Sequence, residues 1–142
     1  MTQEDKELLL KDLSARLPYG VIVRHADYLI DSDGNYTGQF WYKRGYLYNI
    51  CRLDNMTTTI IESEGSDEEG YEHICDLERS LPYLRPMSSM TEEEKIDYQA
   101  FFNYDGVEYP EEYIDWCNKN HFDYRGLIPI GLALVAPEGM YN

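Results

Sequence analysis

Between Val21 and Ile61 the β-branched and aromatic residues come in short runs, and chain-reversing chemistry falls between the runs. Val21-Ile22-Val23, Tyr28-Leu29-Ile30, residues 36–42, 46–53 and 57–61 are each rich in the side chains that fit a pleated, half-buried surface. Asp31-Ser32-Asp33-Gly34-Asn35 and Lys43-Arg44-Gly45 read as tight reversals. Connections this short are too brief for crossover helices, so the region is expected to form a small antiparallel sheet of four to five strands.

Helical signals flank this block. Thr2 followed by Glu4 and Asp5 gives a cap and an acidic first turn, and Leu9, Leu10, Leu13 and Leu17 recur at helical spacing until Pro18, placing a helix at about 3–16. Thr91-Glu92-Glu93-Glu94 has the form of a capping box and starts a second helix expected to reach about Phe102, where Asn103-Tyr104-Asp105-Gly106 ends it. Pro110 with Glu111 and Glu112 marks a third, ending near Asn120, with Tyr113, Trp116 and Cys117 as its packing face. The fold class is therefore α+β: an N-terminal helix, a small antiparallel sheet, and two C-terminal helices packed on one sheet face, in a single domain spanning 1–142. Tyr71 to Leu77 fits a strand or a short helix equally well, Pro82 and Pro86 bracket an extended connector, and the apolar tail 126–135 is expected to lie against the core.

Charge narrows the function classes. The chain has 142 residues, 27 of them Asp or Glu against 12 Lys or Arg, a net charge of −15. Duplex nucleic acid and anionic membrane surfaces would be repelled within the Debye length of about 8–10 Å. Residues 62–72 carry Glu62, Glu64, Asp67, Glu68, Glu69 and Glu72 with no Lys or Arg, and are expected to be a loop. The longest apolar stretch, 126–136, is interrupted by Pro129 and falls short of the roughly 20 residues that span a bilayer. The first twelve residues lack the pattern of an export signal, and three widely spaced cysteines, Cys51, Cys75 and Cys117, suit reduced thiols. The expected location is the cytoplasm.

Catalytic and metal signatures are weak. Asp31, Asp33 and Asn35 alternate like the first ligands of a calcium loop, but Tyr36 replaces the glycine and Tyr42 the bidentate glutamate, so a hairpin turn is the expected structure. His73, Cys75, Cys117 and His121 could make a zinc set by composition alone, yet no tight Cys-x-x-Cys knuckle is present, and no metal or other cofactor is expected. Cys117 and His121 stand four apart, the separation at which helical side chains meet, but no third orienting group follows from the sequence. Phosphate-loop, dinucleotide, esterase and zinc-protease motifs are all missing, which disfavours catalysis.

Fourteen tyrosines are the unusual count. Alternation with a regular turn at 43–45 would put Phe40, Tyr42, Tyr46 and Tyr48 on one face, either filling a core with the hydroxyls at its edge or forming an exposed partner surface. Lys43, Arg44 and Arg52 lie close by in sequence as a small basic island. The candidate binding residues are accordingly Trp41, Tyr42, Lys43, Arg44, Tyr46, Tyr48 and Arg52.

Residues 8–21 (LLLKDLSARLPYGV), 82–94 (PYLRPMSSMTEEE), and 125–128 (RGLI) through 136–141 (APEGMY) resemble a group of small proteins encoded in gut Bacteroidales genomes, their prophages and mobile elements. The resemblance implies an accessory protein of phage or mobile-element origin and carries over no activity, ligand or catalytic residue. The leading expectation is a non-catalytic binding protein that works through contact with a protein partner, with a homo-oligomer as one form this could take. Two alternatives are a protein that sequesters a small ligand such as a nucleotide by stacking and charge pairing, and an acidic nucleic-acid mimic that occupies a host protein's basic groove.

Overall fold

The computed structural model describes residues 1–53, 55–63 and 72–141. Its contacts divide the chain into two compact units, Met1–Pro82 and Tyr83–Asn142. Of the acidic loop expected at 62–72, residues 64–71 lie outside the described residues, while Glu62 and Glu72 are strand residues paired with each other, so ladder pairing reaches into the run of acids. Among the described residues no helix is long and apolar enough to cross a membrane.

The first unit opens with α1, Gln3–Arg16. The Thr2 hydroxyl accepts from the Asp5 backbone N–H at 3.1 Å, and the Asp5 carboxylate accepts from the Thr2 N–H at 3.0 Å, satisfying two donors at the helix start. Leu9 and Leu13 are buried as their spacing requires. So are Asp12 and Arg16, one turn apart, whose side chains meet at 2.9 Å with neither exposed. The strands that follow are β1 (Ile22–Ile30), β2 (Tyr36–Leu53), β3 (Met56–Ser63), β4 (Glu72–Asp76) and β5 (Leu81–Leu84). In this unit they are ordered β4-β3-β2-β1-β5 and every neighbouring pair is antiparallel. The reversal between β1 and β2 is the expected hairpin: the Asp31 carboxylate accepts from the N–H of Asp33 and of Asn35, each at 2.9 Å, and Gly34 takes a φ of 83°. The segment that fitted strand or helix resolves into β4 followed by a short 3-10 turn at Leu77–Arg79.

The second expected reversal, at Lys43-Arg44-Gly45, does not occur. β2 runs through it for 18 residues, pairing Lys43 with His25, Arg44 with Arg24 and Gly45 with Val23. Gly45 serves close packing here: a Cβ at this position would stand 2.5 Å from Ile61 Cγ2 and 2.6 Å from the Glu62 carbonyl oxygen. Further on, Leu47 pairs with Ile61 but Asn49 pairs with Ile60, so Tyr48 is an extra residue in a bulge.

The sheet coils strongly. β1 and β4 are separated by two strands, yet the rings of His25 and His73 lie 4.7 Å apart. Val23, His25, Leu47, Thr59, Ile61 and Cys75 are buried on the concave side. The Thr59 hydroxyl bonds to Ser80 Oγ and to the Cys75 carbonyl, tying β3 to the chain beyond β4.

In the second unit, β5 continues by pairing in parallel with β8 (Leu134–Val135) through Tyr83 and Leu84. α2 (Glu92–Ala100) begins at the expected capping box and stops two residues before Phe102, where β6 (Phe102–Asn103) and β7 (Gly106–Val107) form a small hairpin. α3 (Pro110–Lys119) packs Tyr113 and Trp116 into a cluster with Tyr98, Phe101, Phe102 and Phe122, ring centroids 4.7 to 6.4 Å apart. The fold is thus α+β with an N-terminal helix, but among the described residues the strands form a mixed six-stranded sheet and a separate two-stranded one rather than four to five antiparallel strands, because β5 and β8 extend the pairing beyond the β-rich block. The two C-terminal helices belong to the second unit, with a hairpin between them that the sequence pattern did not show.

Candidate functional site

Side chains alternate along a strand, so residues paired in register on β1 and β2 share a face. Arg24, Ala26 and Tyr28 therefore stand with Arg44, Tyr42 and Phe40 on the side away from the buried core residues. On this side lies a groove of about 690 Å³, lined by Arg24, Ala26, Tyr28, Ile30, Tyr36, Phe40 and Tyr42, and by Glu78, Arg79 and Leu81 from the segment leading into β5. All of its lining belongs to the first unit.

The rings form a connected ladder. Tyr36 meets Tyr28 edge-on at 5.1 Å, Tyr28 lies 6.0 Å from Phe40, and Phe40 meets Tyr42 edge-on at 5.5 Å. Two guanidinium groups cover its rings: Arg24 lies 4.0 Å from the centre of Tyr42 and Arg79 5.1 Å from the centre of Tyr28. A cation over a ring face is attracted by the ring quadrupole. Tyr36, Phe40 and Tyr42 nevertheless remain about half exposed, at 50%, 49% and 55%, so these rings are surface and do not fill a core.

Of the residues singled out from sequence, only Tyr42 lines the groove. Arg44 stands opposite Arg24 in register on the same face. Trp41 and Lys43 fall on the other face, where Lys43 Nζ meets the Asp27 carboxylate at 2.7 Å and lies 5.9 Å from the Trp41 ring. Tyr46 shares the parity of Tyr42, is 42% exposed and does not line the groove. Tyr48 leaves that alternation at the bulge and is 58% exposed. Arg52 lines a separate polar cleft of about 360 Å³ with Gln3, Lys6 and Glu7 of α1. The residues missed from sequence are Arg24, Tyr28, Tyr36, Glu78 and Arg79. β-hairpin register would have found the first three, because Asp31 to Asn35 fixes which β1 residue faces which β2 residue. Glu78 and Arg79 arrive on a 3-10 turn with no periodic signal.

The candidate thiol and imidazole groups are placed elsewhere. His73 and Cys75 belong to the first unit and Cys117 and His121 to the second, and no group of three or more His, Cys, Asp or Glu among the described residues is arranged to hold a metal. Burial pushes the Cys75 thiol above its ordinary value, so it is a poor thiolate nucleophile. His121 lies beyond the end of α3 with a φ of 62°, which takes it off the helical spacing from Cys117, and its ring stacks on Tyr141 at 3.6 Å. Burial, and then the neighbouring His73, hold the His25 imidazole below its usual value.

Comparison with family models, with curated proteins and with solved structures gave no match.

Proposed function

We propose that this is a non-catalytic cytoplasmic binding protein and that the groove on β1 and β2 is where it holds a small ligand. The observation that carries this is the ladder of four rings with two guanidiniums over it, in a space whose volume falls within the roughly 300–1,000 Å³ of small-molecule sites. Flat apolar surface supplies contact area, and a few polar groups fix orientation. The described lining offers rings and guanidiniums rather than a nucleophile paired with a base, and this favours holding a ligand over converting it.

Thermal unfolding of the full chain against nucleotides and small aromatic acids tests the proposal. A ligand present at 100 times its Kd raises native stability by about 2.7 kcal/mol. That gain should disappear in Tyr42→Ala and persist in Trp41→Ala, which lies on the other face. Equal loss in both variants would refute the groove as the site.

A second reading rests on Trp41, Tyr46 and Tyr48, which are 44%, 42% and 58% exposed and lie outside the groove. Exposed Trp and Tyr are the residues that anchor protein contacts. On this reading the chain is an accessory protein of phage or mobile-element origin that also docks on a protein partner. Trp41→Ala combined with Tyr46→Ala should then abolish partner capture while leaving the melting temperature nearly unchanged.

A further inference from the structure

Resting on the groove as a ligand site, we infer that its occupant is an aromatic monocarboxylate: a flat ring lying against the ladder, with a single carboxylate held by Arg24.

The charge arrangement singles out this class. Among the described residues the groove's fully charged side chains are Arg24, Arg79 and Glu78, a surplus of one positive charge in a chain of net −15. Two of the three already have partners. Glu78 meets Lys6 at 3.0 Å, and Arg79 Nε stands 3.9 Å from the Asp76 carboxylate. Arg24 has no carboxylate within 4.0 Å among the described residues. Its guanidinium carbon lies 4.0 Å from the centre of the Tyr42 ring, and a guanidinium presents its N–H donors as a planar fork. That fork matches a planar carboxylate through two parallel hydrogen bonds. An uncommitted arginine in so acidic a chain, beside apolar rings, complements one negative charge.

The same count excludes neighbouring classes. A nucleoside 5′-monophosphate brings about two negative charges on its phosphate, and among the described lining residues the second would meet Glu78 and an Arg79 already beside Asp76. A neutral aromatic amide would gain the ring contacts but leave the Arg24 fork unmatched.

The test is an NMR titration of the full chain with 3-phenylpropionate, its neutral amide 3-phenylpropanamide, and AMP. The carboxylate should move the ring resonances of Tyr28, Phe40 and Tyr42 and the Arg24 Nε–H resonance, and bind about tenfold more tightly than the amide, the scale of a hydrogen bond to a charged group. In Arg24→Gln the acid-over-amide preference should fall to about twofold or less; Arg79→Gln, if Arg24→Gln fails to fold, should keep most of the preference. Equal binding of acid and amide, or tighter binding of AMP, overturns the monocarboxylate while leaving the groove in place. Saturable shifts confined to residues outside the groove, or no shift with any of the three, overturn both.

Discussion

Replacing Gly45 with alanine probes the central strand where the sequence is most misleading. The added methyl group would stand 2.5 Å from Ile61 Cγ2 and 2.6 Å from the Glu62 carbonyl oxygen, each about 1 Å inside ordinary contact. Ile61 is fully buried, and Glu62 belongs to the β3 backbone paired with Tyr46, so neither neighbour can swing into solvent. The strands must part instead, weakening the ladder between β2 and β3. Overpacking of this kind costs about 1–3 kcal/mol, and the backbone oxygen places Gly45→Ala at the upper end, about 2–3 kcal/mol. With a urea m-value of about 1–3 kcal/mol/M, the midpoint should fall by about 0.7–3 M. Ile61→Ala alone should cost about 2–5 kcal/mol through the cavity it leaves. In the double variant one clash is relieved and the other remains, so the combined loss should fall short of the sum by about 1 kcal/mol. Strict additivity, or a Gly45→Ala effect below about 0.5 kcal/mol, would show that Gly45 is not held by close approach.

Further outcomes follow from burial and charge. The unfolded state takes up a proton on His25 near its ordinary value of 6.5, before the folded state does, so its contribution to stability is intact above that pH and declines as pH falls toward the lower folded value. The unfolding free energy from urea denaturation should drop between pH 7.5 and 5.5, by at most about 1.4 kcal/mol per pH unit from this residue, and His25→Leu should flatten the decline. In the second unit Glu94 accepts from both Arg85 terminal nitrogens, at 2.8 and 2.6 Å, and from the Thr91 N–H, and the Arg85 bonds lead in holding its carboxyl below the ordinary value of 4.5. Glu94→Gln should cost about 1–2 kcal/mol at pH 7, and the gap to the parent should narrow as pH falls below 4.5, measured by chemical denaturation at both pH values. Maleimide at pH 7.5 should label half-buried Cys51 ahead of buried Cys75 and Cys117, read by mass spectrometry of digests.

What could be read from sequence was what local chemistry dictates. Thr2 and Thr91 each sit three residues before a carboxylate, and both boxes form as the spacing requires. Asp31 to Asn35 closes a hairpin because the Asp31 side chain satisfies two backbone donors within its own turn. The misreading at 43–45 has the opposite origin, because a glycine reads as a turn whenever its neighbours are polar. Only the distance to Ile61, sixteen residues along the chain, reveals the lack of a Cβ as the point. Likewise Asp12 and Arg16, outside the leucine stripe that the sequence singles out, are buried as a pair, a fact of tertiary contact that periodicity does not encode. The groove was half legible: its aromatic wealth was evident, but which rings gather there depends on strand register and on where Arg79 arrives.

The bulge at Tyr48 bears on how this chain can change over generations. A strand of 18 residues that presents alternate side chains to opposite sides is a reading frame of period two. Loss of one residue between Phe40 and Leu47 would exchange the two sets, trading Phe40 and Tyr42 for Trp41 and Lys43, while the extra residue at 48 and the register shift between Tyr36 and Phe40 mark where steps are already absorbed. Descendants of this sequence should therefore accept many substitutions along β2 while keeping the count of residues from Phe40 to the bulge fixed, with insertions and deletions gathering outside that stretch.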